Sequence, residues 1–109
     1  MTKIQIKPLS VNQAYVGKLK HTKALSKYQN DVTFLLPKIA MPPPPYEIYF
    51  KFGFSSASSD IDNPVKILLD LLAKKYEFND KLIYRLNIER EQVKKGKEYI
   101  EFKIDYFEN

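Results

Sequence analysis

The sequence predicts an α+β fold: a single-layer mixed β-sheet of about four strands, in the order β-α-β-α-β-β, with helices packed on one face. Three observations predict it. Four segments alternate apolar and polar residues with period two, most clearly YEIYFKFGF at 46–54. Two segments repeat apolar residues at helical spacing, one at 24–36 and one at 64–75. Each strand has one apolar and one polar face, so helices should cover only one side of the sheet.

The elements follow in order. TKIQIK, residues 2–7, reads as a short strand. PLSVNQAYVGKLKHTK has Pro, Ser, Asn and Gly and no sustained period, which predicts an ordered loop. Leu25, Tyr28, Val32, Leu35 and Leu36 then fall on one helical face, and Pro37 ends that pattern. MPPPP, residues 41–45, is a stiff segment; it fits a rigid helix-to-strand connector better than a docking site for a proline-binding module. In the strand at 46–54, Tyr46, Ile48, Phe50, Phe52 and Phe54 share one face, and Glu47, Tyr49 and Lys51 the other. A serine-rich loop follows. The next helix should be capped by Asp62 or Asn63, with Pro64 in its first turn and Val65, Leu68, Leu69 and Leu72 as its apolar stripe. After the loop YEFNDK, a strand is expected from about Leu82. A turn containing Gly96 follows, and then a last strand with Ile100, Phe102, Ile104 and Tyr106 on one face. The last two strands are close enough in sequence to form a hairpin.

The 109 residues suit one domain, residues 1–109, and can bury a core without staples. With no cysteine, a thiol nucleophile, a zinc ribbon and a disulfide scaffold are excluded. No secretory signal and no bilayer-spanning apolar run is visible, so a soluble, cytoplasmic protein without a membrane role is expected. The formal charge is +5. Residues 1–38 hold seven lysines against Asp31 alone, so the first third carries more than the whole net charge. Such a balance favours polyanions, nucleic acid first and anionic membrane second. Only Arg85 and Arg90 are arginines. Lysine is a point charge suited to backbone phosphate, so DNA contact should be mainly by backbone and shape.

Against this basic background, SSASSDIDNPVKILLD concentrates acid. Asp60 and Asp62 lie two apart and share a side if the chain is extended there. Asp62, Lys66 and Asp70 fall on one helical face, and Asp80 follows in the next loop. Carboxylates without histidine or cysteine are hard ligands suited to Mg²⁺, with Mn²⁺ as a substitute, rather than to zinc. Such a cation can polarise a phosphodiester and activate water, while Lys66 offsets transition-state charge. In that reading the lysines hold the polyanion and the acids hold the metal that cuts it. The alternative is a capped helix bearing a surface charge ladder, which needs no function.

Three segments resemble the RusA family of endodeoxyribonucleases, the Holliday-junction resolvases of bacteria and their prophages. PLSVNQAY resembles the family's P-x-S-x-N-x-x-Y opening. DIDNPVKILLDLL, residues 60–72, resembles its D-x-D-N-x-x-K-x-x-x-D-x-L core. FNDKLI, residues 78–83, resembles its acidic loop and following strand. The resemblance covers most of the chain in the right order, and its central motif is the most specific part. It implies a RusA-like fold and a homodimer that binds four-way DNA junctions. It also implies Mg²⁺-dependent paired nicks in DNA recombination and repair. By position, Asp60, Asp62 and Asp80 correspond to the metal-binding acids. Lys66 corresponds to the lysine near the scissile phosphate, and Asp70 to an acid that orients Lys66 or binds metal. Some members carry two adjacent aspartates where this chain has Asn79-Asp80; Asp80 aligns with the second because Ile83 follows at the same interval.

Asn12, Tyr15, Lys18, Lys20, Lys23 and Lys27 are the candidate DNA contacts, with a solvated basic surface as the alternative. Lys94, Lys95 and Lys97 form a second, weaker patch. His21, the only histidine, sits in the basic stretch KLKHTK and reads as an exposed loop residue. No nucleophile elbow is present for a Ser-His-Asp site, and no organic cofactor is expected. The expected function is therefore a junction-resolving endonuclease. A non-catalytic nucleic-acid-binding protein of the same fold is the rival. A dimeric interaction module without nucleic acid leaves the lysine-rich N-terminal third unexplained.

Overall fold

A computed structural model describes residues 1–9, 15–16 and 20–109, with 15–16 and 20–21 described as backbone alone. Its elements are β1 (Thr2–Ile4), β2 (Tyr15–Val16), β3 (Lys20–His21), α1 (Lys23–Leu35), β4 (Tyr46–Phe54), α2 (Val65–Lys75), a 3₁₀ turn (Asp80–Leu82), β5 (Ile83–Gln92) and β6 (Tyr99–Tyr106). The class and the order of the main elements are those the sequence predicts. Within the segment expected to be loop, β2 and β3 pair as a two-residue antiparallel hairpin. β1 is shorter than the strand expected at 2–7.

The main sheet runs β1-β6-β4-β5. β4 is parallel to β5 and antiparallel to β6, so the sheet is mixed. The expected hairpin between β5 and β6 does not form, because β4 lies between them. The cause is the apolar face of β4: Ile48, Phe50 and Phe52 are fully buried, as a central strand requires. The chain leaves β5 past the end of β4, where the Val93 amide donates to the Phe54 carbonyl at 2.8 Å. It then turns at Gly96, whose φ of 91° is open to glycine and costly to other residues. The six residues 93–98 reach ~20 Å when extended, enough to step across one strand.

Both helices contribute to a single core with this face of the sheet. α1 buries Leu25, Tyr28 and Val32, joined by Leu36 beyond its end, while Leu35 stays exposed. α2 buries a wider stripe than expected, Val65, Ile67, Leu68, Leu71 and Leu72, with Leu69 only half-buried. Phe50, Phe52 and Phe102 are the largest fully buried side chains, each stabilising the fold by about 1.5–3 kcal/mol. Ile100 and Ile104 join them from β6, but Tyr106 is exposed.

The opposite face of the sheet is polar. Tyr49 donates to Glu89 at 2.8 Å and Tyr99 to Glu91 at 2.6 Å. Desolvation and the Glu89 carboxylate push the Tyr49 hydroxyl up to about 12. The Tyr99 ring lies against Gly53, where any Cβ would collide with it. No helix among the described residues is long and apolar enough to cross a membrane.

Candidate functional site

The acidic turn sits where β4 hands the chain to α2. Residues 61–64 are a turn that runs straight into the helix. The Asp60 carbonyl accepts from the Asn63 amide at 3.3 Å, and the Asp62 carbonyl accepts from the Val65 amide at 3.1 Å. The residue at the N-cap is Pro64, already in helical conformation, and no side chain caps the helix. The expected capping by Asp62 or Asn63 therefore does not occur, because a side-chain cap needs an extended residue at that position. Asp60 and Asp62 are both exposed, and the Asn63 amide group reaches the Asp60 carboxylate at 3.4 Å.

Asp60 stands on the rim of a cavity of about 300 Å³. Lys7, Phe54, Ser59, Asn63 and Glu98 share that cavity. Phe54 and two prolines, Pro8 and Pro64, give it apolar patches among the hydroxyls. Glu98 is held by the Ser55 hydroxyl at 2.7 Å and by the Gly96 amide at 2.8 Å. The Ser55 hydrogen bond, then the backbone donors and Lys7, keep its carboxyl below the usual range. Nothing in the local sequence pattern marks Glu98 or Lys7. The antiparallel register that sets Gly53 against Tyr99 brings Glu98 to the end of β4 beside Ser55.

Arg90, near the end of β5, fixes the loop that leads to Asp60. Its guanidinium lies 4.8 Å from the Phe54 ring centroid. It donates to the carbonyls of Ser59 and Ser56, the latter at 3.2 Å, and Gln92 donates to the Ser55 carbonyl at 2.9 Å.

Lys66 and Asp70 meet at 3.1 Å on the exposed face of α2. Exposed i,i+4 pairs of this kind contribute ~0.3–0.5 kcal/mol. Asp70 also lines a second groove, between α1 and α2, with Phe34, Lys74 and Lys75. Asp80 is exposed at the start of the 3₁₀ turn, whose cap is the Asn79 side chain accepting from the Lys81 amide at 3.0 Å. Asn79 thus serves the turn, and the loop presents Asp80 as its aspartate, with Glu77 also exposed.

Among the candidate DNA contacts, Lys23 and Lys27 are exposed on the first turns of α1, and Lys27 pairs with Asp31 at 2.7 Å. Asn12 and Lys18 lie outside the described residues. Tyr15 and Lys20 are placed by backbone alone, on the facing strands β2 and β3.

As a donor set, Asp60, Asp62 and Asp80 offer only carboxylate oxygen, which fits a hard divalent cation in kind. Among the described residues, no three acidic or histidine side chains are gathered in metal-holding geometry. No protein-family model matches the chain, and no curated protein matches it.

Proposed function

We propose that the protein is a Mg²⁺-dependent DNA endonuclease that resolves four-way junctions as a homodimer by paired, symmetric nicks. The observation that carries this reading is the turn at 60–63. It presents two aspartates to solvent, Asp60 on the rim of a cavity, and spends neither as the helix cap. The resemblance of residues 60–72 to the RusA core supports the same assignment.

In this reading Asp60, Asp62 and Asp80 would hold the cation through their carboxylate oxygens. The bound ion supplies Lewis acidity at the scissile phosphate and a water of lowered pKa. Lys66 faces the developing charge on the phosphate, and Asp70, 3.1 Å from its ammonium, sets its direction. Lys23 and Lys27 hold backbone phosphate, together with Asn12, Tyr15, Lys18 and Lys20. The chain's +5 charge would make that binding weaken as salt rises.

The test is cleavage of a labelled synthetic four-way junction by wild type and Asp62→Asn, with Mg²⁺ and with EDTA. Paired symmetric nicks that need Mg²⁺ and disappear in the variant, with binding retained, are the expected result. Tight binding with no cleavage by wild type in Mg²⁺ or Mn²⁺ would favour a non-catalytic nucleic-acid-binding protein.

A further inference from the structure

The loop that delivers Asp60 is serine-rich and offers no side-chain anchor of its own in the core. Ser56, Ala57 and Ser58 are exposed, and the Ser56 and Ser58 hydroxyls bond one another at 2.8 Å. Glu98 holds Ser55 at its start, and β5 supplies the rest of its fixed points. Arg90 reaches across to two of its carbonyls, Ser56 and Ser59, and lies over Phe54, the last residue of β4. Ser59 directly precedes Asp60. Holding its carbonyl orients the peptide plane from which the Asp60 backbone departs.

Only the guanidinium geometry suits this task. Its planar fork serves two acceptors at once and stacks on an aromatic ring, whereas a lysine ammonium is a compact, strongly hydrated point charge. The chain has two arginines against sixteen lysines, so the arginine here is set apart from the general basic charge. The other one, Arg85, pairs with Glu47 at 3.3 Å on the polar face of the sheet. Arg90 is half-buried and already engaged with two carbonyls and a ring face, which separates it from the exposed lysines offered to phosphate.

We infer that Arg90 is a positioning residue: it holds the 55–59 loop against β5 and thereby sets Asp60 for the cation. This rests on the metal-dependent reading above, in which Asp60 is a ligand. Arg90 acts through the loop and touches neither metal nor DNA.

The experiment compares wild type, Arg90→Lys and Arg90→Ala. Arg90→Lys keeps the charge and most of the stem, so it guards against loss of the fold. Two readouts are taken without DNA: amide hydrogen exchange across residues 55–60, and Mn²⁺ affinity by titration. A third is the Mg²⁺ dependence of junction cleavage. In both variants exchange at 55–60 should quicken while β4 and β6 stay protected. Mn²⁺ affinity should fall ~10-fold, the usual effect of losing a group that orients a ligand. Cleavage should recover at high Mg²⁺, with junction affinity unchanged.

Unchanged exchange at 55–60 in folded variants overturns the inference whatever the activity. Quicker exchange with unaltered Mn²⁺ affinity overturns it too, leaving Arg90 a structural clamp alone. Weakened junction binding with intact metal affinity would make Arg90 a phosphate contact instead. Failure of wild type itself to bind Mn²⁺ or to cut would instead overturn the metal-dependent reading, and with it the role of Arg90 toward a cation. That failure shows in the parent protein before any variant is compared.

Discussion

The two helices of this protein begin in opposite ways. α1 starts at Thr22, an extended residue whose hydroxyl accepts from the Leu25 amide at 3.1 Å, as an N-cap should. α2 starts at Pro64 with no side-chain cap, although Asp62 and Asn63 stand immediately before it. Residues that would cap well are present and are not used for capping. The difference teaches that the composition of a helix start does not reveal its job. At α1 the polar residue stabilises the helix, and at α2 the carboxylates face solvent, Asp60 beside a cavity.

The sharpest way to break this contrast is to remove the two polar groups separately. Asp62→Ala should cut junction cleavage by at least about 100-fold, above the loss ascribed to outer-shell partners. It should leave the thermal midpoint nearly unchanged. A marked fall in that midpoint would mean that Asp62 is structural after all. Thr22→Ala should do the reverse and lower stability by about 1 kcal/mol in denaturant titration, with cleavage by the folded fraction intact.

A subtler measurement sharpens the α2 side. Glu98 helps to hold the loop before Asp60, and its carboxyl is pushed below the usual range chiefly by Ser55. A lowered folded-state value stabilises the fold above the ordinary carboxylate range, and this stabilisation is lost as pH falls through the lowered value. Wild type should therefore be more stable than Glu98→Gln near neutrality, and the gap should close as pH falls through and below the ordinary carboxylate range. A gap that stays constant through that window would show that ionisation of Glu98 does not matter.

The smallest effect belongs to α1. The Tyr28 hydroxyl is buried without a hydrogen bond of good geometry; burial raises its pKa, and a backbone contact from Leu9 offsets this only in part. Tyr28→Phe removes that desolvated group and should leave stability within about 1 kcal/mol of wild type, on the stabilising side. A clear loss would reveal a partner for the hydroxyl.

Much of the fold was legible because it is written locally. The alternation at 46–54 marks β4 and its buried face, and the apolar repeats mark both helices. Strand order was not legible. β5 and β6 are neighbours in sequence, yet each pairs with β4, because burial of the aromatic strand on both sides outweighs the short connection. The candidate site divides in the same way. Asp60, Asp62, Lys66 and Asp70 could be read from one stretch, since a turn and one helix hold them. Lys7, Arg90 and Glu98 reach the loop from β5 and from the two ends of the chain, and no spacing rule connects them to it. The expected cap at Asp62 failed for a local reason: Pro64 continues a turn already in progress.

The sheet order has a consequence for how the chain is made. β6 supplies one edge of β4 and is the only described partner of β1, in a register that joins Thr2 to Phe102. Until residues 99–106 leave the ribosome, the most aromatic strand keeps one side unpaired and the first strand has nothing to join. Loop-closure entropy on that scale slows folding, so the nascent chain carries an open strand edge beside an apolar face from the completion of β4 until β6 follows. Such an edge suits capture by a chaperone, and it makes chains truncated before residue 99 prone to aggregate.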